Sequence, residues 1–332
     1  MSTNNIFRKW FQNNPDLAIL PFLGLGVTVF MILLTGGQFL TGINLRSMAF
    51  QLPELGLFSL AMMPSLLTNG INLSIVSSAN LTGVIMAVIL TSWASPETSG
   101  LRAGVVILAA ICIGLLVAVL SGAINGLLIA YVGVSPVLTT LGTMIFYEGL
   151  TTAITRGYVI SKFPAAFLTI GNGTLTGIPI SLILLGGCAL LMAVILEYTP
   201  FGLRLRMLGS NVIAAEFSCI DVKKALLSTY MLSGVLSGLA GIVMISRFNS
   251  ANVGYGASYL LLTILICVLG GVSPTGGFGK VGGVVLALLI LQFLSSGLNL
   301  LGMSSFITIA FWGITLVLVI AYRFFTLRKF QR

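Results

Sequence analysis

Residues 70–90 read GINLSIVSSANLTGVIMAVIL: a polar, glycine-bearing stretch over 70–80 runs directly into the apolar segment 81–90. The same order returns at residues 270–290, GGVSPTGGFGKVGGVVLALLI, where Gly83 aligns with Gly283, Val84 with Val284 and Ala87 with Ala287. Unpaired backbone is costly in hydrocarbon, so interruptions of this kind survive only where protein buries them or a water-filled cavity reaches them. Paired interruptions in matching positions of two halves mark the solute route of many transporters. Asn72, Ser74, Ser77, Ser78 and Asn80 in the first interruption, with Ser273 and Thr275 in the second, are the neutral hydrogen-bonding groups such a route offers a polar, uncharged solute.

The rest of the chain agrees with a bilayer environment. Of its 332 residues 57% are hydrophobic and only 7% are charged, with a mean hydropathy of +1.12. Soluble domains carry about 25% charged residues, so water cannot be the solvent of this surface. Ten apolar segments of bilayer-crossing length fall at roughly 17–36, 48–69, 73–93, 103–121, 135–155, 179–199, 225–246, 257–272, 281–302 and 306–325. The expected fold is an all-α polytopic membrane protein of about ten transmembrane helices, with broken or re-entrant segments and an internal parallel repeat. Residues 1–332 read as one transmembrane domain. Within it, 1–16 form a cytoplasmic N-terminal segment ahead of a retained first span, and 200–224 form a charged cytoplasmic loop.

The net charge of +9 belongs to orientation and not to nucleic acid, because no basic stripe interleaves with aromatics. With both termini inside, Arg8, Lys9, Arg204, Arg206, Lys223, Lys224, Lys280, Arg323, Arg328, Lys329 and Arg332 are cytoplasmic. Arg46, Arg102, Arg156, Lys162 and Arg247 lie outside. The 11-to-5 split follows the positive-inside rule. The four scattered cysteines and the absence of histidine exclude a CxxC centre and a His-based metal or triad site. The sequence around Lys280 fails as a phosphate loop, since that motif needs Gly at the position of Pro274 and Ser or Thr at that of Val281. Energy must therefore come from a partner or an ion gradient. A stand-alone, ion-coupled secondary transporter needs a titrating carboxylate at mid-membrane. Of seven acidic residues only Glu54 and Glu148 fall inside spans, neither with an evident basic partner, and Glu148 is the better placed. Gly122-xxx-Gly126 and Gly234-xxx-Gly238 read as close helix packing.

Four pieces, in order and spacing, give the chain a family resemblance. They are Gly70-Ile-Asn-Leu-Ser74; Ser135-Pro-Val-Leu-Thr-Thr-Leu-Gly-Thr-Met144; Gly209-Ser-Asn-Val-Ile-Ala-Ala-Glu-Phe-Ser-Cys-Ile-Asp-Val222; and Leu269-Gly-Gly-Val-Ser-Pro-Thr-Gly-Gly-Phe-Gly279, followed by Gly297-Leu-Asn-Leu-Leu-Gly302. The set resembles the permeases of ABC importers for ribose, xylose, galactose, arabinose and the autoinducer-2 signal. The resemblance implies a permease subunit that moves a sugar-like solute across the bacterial inner membrane and binds no cofactor itself. ATP would be held by a partner with two nucleotide-binding domains. A second permease copy, identical or related, would complete the pathway, and a periplasmic or lipid-anchored binding protein would deliver the solute. Gly209, Asn211, Ala214, Ala215, Glu216, Ser218 and Ile220 then belong to the coupling helix that seats in the ATPase. Asn72, Cys219 and Glu148 stand where the family pattern has Asp, Gly and Arg.

Overall fold

The computed structural model describes residues 15–330, and the expected cytoplasmic segment 1–16 lies almost wholly outside them. Thirteen helices account for most of the described chain. α1 (Pro15–Leu34), α2 (Gly42–Leu67), α3 (Ile75–Trp93), α4 (Gly100–Leu127), α5 (Pro136–Thr155) and α6 (Ala165–Asn172) come first. α7 (Ile180–Ala193), α8 (Pro200–Ser210), α9 (Val212–Phe217), α10 (Val222–Phe248), α11 (Tyr259–Leu269), α12 (Val281–Leu300) and α13 (Ser305–Phe330) follow. α4 and α7 each continue into a turn of wider π-helix, Leu128–Val132 and Val194–Tyr198. Four two-residue strands pair as β1 (Ile160–Ser161) with β4 (Ser250–Ala251) and β2 (Thr174–Leu175) with β3 (Ile178–Pro179).

Among the described residues, seven helices are long and apolar enough to cross a membrane: α2, α3, α4, α5, α7, α10 and α12. With α1, α11 and α13 they occupy the ten segments expected from the sequence. The local grammar is plain. Proline opens α5 and α8 at positions whose N–H would be orphaned anyway, Asp221 caps α10 through the Lys224 amide, and Gly133 closes the α4 extension at a φ of 82°.

Two expectations need correction. The interruption at 70–80 is shorter than it reads, because α3 already begins at Ile75 and so carries Ser77, Ser78 and Asn80 on a regular helix. Ser77 Oγ turns back to the Ser74 carbonyl at the start of the same helix, and only Asn80 reaches another element. The eighth span is not a full helix. α11 has 11 residues, about 16 Å of rise, roughly half the hydrocarbon thickness. The remaining depth is crossed by irregular chain over 249–258. That stretch is tolerable because Asn80 Nδ2 donates to the carbonyls of Val253 (2.7 Å) and Tyr255 (2.9 Å).

α10 is the axis of the bundle, packing on α2, α3 and α4. The two Gly-xxx-Gly motifs meet each other there. A Cβ at Gly122 would overlap the Tyr230 carbonyl, one at Gly234 would overlap the Ala118 carbonyl, and one at Gly126 would stand 2.9 Å from Leu227 Cα. The helices run antiparallel with their backbones almost touching, which is what small residues permit in lipid.

Both interruptions lie at one end of the bundle, on the loop face that carries 200–221, where Gly277 N donates to Leu67 O at 3.0 Å. α3 and α12 therefore leave that face in the same direction, as a parallel repeat requires. α1 runs alongside α12, with Gly24 against Ile290 and Met31 against Gly297.

Candidate functional site

The segment expected to couple to a partner is a short helix on a seat. Asn211 caps α9 by accepting from Ala214 N at 3.0 Å, and Ser218 Oγ closes its other end on Ala214 O at 2.9 Å. Ala215 is 1% exposed and packs inward on Leu208 and Ala225. Of the two alanines placed in the coupling helix, Ala214 is exposed and Ala215 belongs to the seat. Gly209 also faces inward, Asn211, Glu216 and Ser218 are exposed, and Ile220 is half-buried on the same small core. The outward side carries Val212, Ile213 and Phe217, the last 87% exposed, and Phe278 stands nearby at 73%. Arg206, Met207, Ser210, Asn211, Ala214 and Phe278 line a cleft of about 420 Å³ between α8, α9 and the 270–280 loop. Asp221, just beyond, accepts from the Lys224 amide and pairs with its ammonium at 3.0 Å. Those two contacts, the amide first, hold its carboxyl below the usual range.

The seat is bolted to the spans by glycines. A Cβ at Gly209 would overlap Leu67 O at the end of α2 and come within 2.6 Å of Gly277 N. Gly276 and Gly277, both with φ of 82°, approach Gly209, Asn69 and Ser210 too closely for any side chain. Arg206 Nη2 donates to Gly279 O at 3.4 Å, and Glu197 Oε1 accepts from Val281 N at 3.1 Å. Ser273 and Thr275, expected on the solute route, sit in this same loop and bond each other at 2.8 Å.

Cys219 adopts a φ of 57°, the left-handed conformation that a glycine takes without strain. Its side chain is exposed and packs on nothing that would be lost. Cys219→Gly is therefore expected to be neutral or stabilising by about 0.5–1 kcal/mol, after the extra unfolded-state freedom of glycine is counted. Thermal unfolding in detergent measures it, and a clear drop in midpoint would contradict the backbone argument.

The remaining candidates of the first interruption come together, and with one another. Asn72 Nδ2 donates to Ser233 Oγ at 2.8 Å, while its Oδ1 accepts from Ser74 N and Oγ. Ser74 Oγ accepts from Asn125 Nδ2 at 2.7 Å, and Asn125 Oδ1 from Thr143 at 2.6 Å. Ser233 Oγ ends the chain on Ala61 O at 2.7 Å. Five elements are thus stitched by neutral side chains, and Asn72, Ser74, Ser77 and Asn80 are 1–4% exposed. The amide of Asn72 matters to this network. The one hydroxyl hydrogen of Ser233 is already given to Ala61, so only a donor fits opposite it. Asn125 and Ser233 carry no motif signal in the sequence, whereas Thr143 lies within the 135–144 motif.

Glu54, expected to be without a partner, has one. Its Oε1 lies 3.0 Å from Arg247 Nη1, and Tyr259 donates to Oε2 at 3.3 Å, with Glu54 itself wholly buried. The signal was available: Arg247 is the single basic residue in 225–279, and a buried carboxylate in a membrane needs a cation. Glu148 is different. It sits on the exposed side of α5 beside Gly142, Gly149, Ile145 (61%) and Phe146 (59%), facing away from the rest of the chain.

Residues 44–320 match the family described as branched-chain amino acid transport system / permease component. The chain is 35% identical over 302 residues to the ribose import permease protein RbsC of Bacillus subtilis, covering 90% of each. It is 33% identical to the autoinducer 2 import system permease protein LsrD of Yersinia enterocolitica, covering 83% of this chain and 82% of that one. LsrD of Yersinia pseudotuberculosis is similar at 32%. No solved structure matches. A bundle with seven helices of membrane-crossing length among the described residues, joined to matches over most of the chain, settles its kind: the protein belongs to this family of importer permeases, the membrane-spanning subunits of ATP-binding-cassette importers.

Proposed function

We propose that residues 1–332 form one transmembrane domain that passes a sugar or sugar-like small polar solute across the bacterial cytoplasmic membrane, with both termini and α8–α9 on the cytoplasmic side. The chain has no ATP site and no cofactor of its own. A partner with two nucleotide-binding domains docks on α9, a binding protein delivers solute at the opposite face, and a second permease, identical or related, supplies the other wall of the pathway. The observation that carries the reading is the apolar patch of Val212, Ile213, Phe217 and Phe278, on a face that also bears Arg204, Arg206, Lys223 and Lys224. Exposed aromatic residues ringed by charge mark a protein interface. In this reading Asn72, Ser74, Ser77 and Asn80 hold the pathway wall rigid, Ser273 and Thr275 shape the loop that bears on the docking helix, and Glu148 faces the pathway, where water or a partner permease solvates it. A carboxylate against lipid would cost several kcal/mol.

The test uses the permease purified with its ATPase and binding protein. Phe217→Asp and Ala214→Asp are each expected to abolish stimulation of ATP hydrolysis by solute-loaded binding protein, with the permease still folded. Buried interface aromatics are commonly worth about 2 kcal/mol or more. If both variants assemble and transport normally, α9 is not the docking helix.

A further inference from the structure

An open cleft lined by aromatic rings and hydroxyls lies on the face opposite α9, and none of the motif residues lines it. It measures about 440 Å³ and opens where α10 ends and the irregular chain 249–258 turns in toward α11, between Phe248, Ser250, Tyr255, Ser258 and Tyr259. That volume is in the range of small-molecule sites. Its position is set by structure already described: β4 pairs with β1 at its rim, and Asn80 pins the carbonyls of Val253 and Tyr255 at its base.

The chemistry of the walls is specific. The rings of Phe248 and Tyr255 meet edge to face with centroids 5.1 Å apart. Ser250 Oγ and Tyr255 Oη share a hydrogen at 2.7 Å. Tyr259 reaches from the cleft back to Glu54, and the Arg247 guanidinium lies 5.5 Å over the Phe248 ring. Glu54 and Arg247 cancel, so the cleft presents hydroxyls and aromatic faces over a neutralised ion pair. A charged solute gains no counter-charge there. A neutral ring compound with C–H faces and several hydroxyls finds both an aromatic surface and partners for its O–H groups.

We propose that this cleft is a docking site for a neutral monosaccharide-like polyol, with its ring against Phe248 and Tyr255 and its hydroxyls on Ser250, Ser258 and Tyr259. The proposal rests on the import function proposed above and locates where on this chain the solute is first held.

The test places the Gly254→Cys variant, whose new side chain lines the cleft and meets nothing within 4 Å, in proteoliposomes assembled with its ATPase and follows its labelling by a membrane-impermeant maleimide. The parent chain gives the background. D-ribose, D-xylose, D-galactose and, as a zwitterion, L-leucine are added in separate arms at millimolar concentration. At least one sugar is expected to slow labelling about tenfold, L-leucine is not, and adding Tyr255→Phe with Tyr259→Phe is expected to remove most of the protection, as loss of hydrogen-bonding hydroxyls should. Import of a sugar by the complex with binding protein while no sugar protects the cysteine overturns the site and leaves the permease function standing. Protection by L-leucine alone, or protection unchanged in the double tyrosine variant, also overturns it. Protection by a sugar without import supports the site and overturns the function, and absence of both overturns both.

Discussion

Arg247→Ala is expected to destabilise the folded permease by about 3–5 kcal/mol, because it leaves the wholly buried Glu54 carboxylate without its cation. The Arg247 side chain is 21% exposed, so some solvent screening remains and the lower end of that range is the better guide. Tyr259 alone, at 3.3 Å, does not replace a charge. The thermal midpoint in detergent or nanodiscs reads the effect. The informative control is the double replacement Glu54→Gln with Arg247→Met, which removes both charges and keeps volume. It is expected to recover most of the loss, since swapping a buried pair for matched neutral groups is often close to neutral. A double variant as unstable as Arg247→Ala would show that packing at Arg247, and not the orphaned charge, sets the cost.

Gly209→Val is expected to separate ATP hydrolysis from transport. Its new Cβ would collide with the Leu67 carbonyl at the end of α2 and crowd Gly277 N, the donor to that same carbonyl. The junction would have to open, at a local cost of about 1–3 kcal/mol, while the exposed side of α9 stays as it is. The ATPase should still bind and hydrolyse at its basal rate. Movement of the docking helix would no longer be passed to α2 and to the 270–280 loop, so solute-stimulated hydrolysis and uptake should both be lost. Gly104→Val, where a Cβ meets nothing within 4 Å, is the matched control and should transport normally. A Gly209→Val complex that transports at the parent rate would mean that the junction is not the route of coupling.

Much of this was legible in the residues. The positions of the ten segments followed from hydropathy, because a bilayer imposes one length on every span and excludes charge from most of it. The short helix over 212–217 was legible from the charged 200–224 loop and its motif. The meeting of the two Gly-xxx-Gly motifs was not, since a glycine spacing names no partner; only the antiparallel approach of α4 and α10 shows that each motif exists for the other. The polar residues of 70–80 misled in one respect. Serine and asparagine signal a break when read alone, yet Asn80 leaves α3 helical and serves a break on another segment, at 253–255.

The sequence by itself determined the solvent, the number and place of the segments and the family, because those depend on local composition and on motifs contiguous in the chain. The tertiary structure decided which carboxylate is neutralised and which is left facing outward, Glu54 held by Arg247 across 193 residues and Glu148 on an open helix side. It also decided which alanine of α9 faces outward and where the chain crosses without a helix. Each of these depends on what stands opposite a side chain from a distant element, and an apolar helix of nearly uniform hydrophobicity gives no sign in its sequence of which side its neighbour will take.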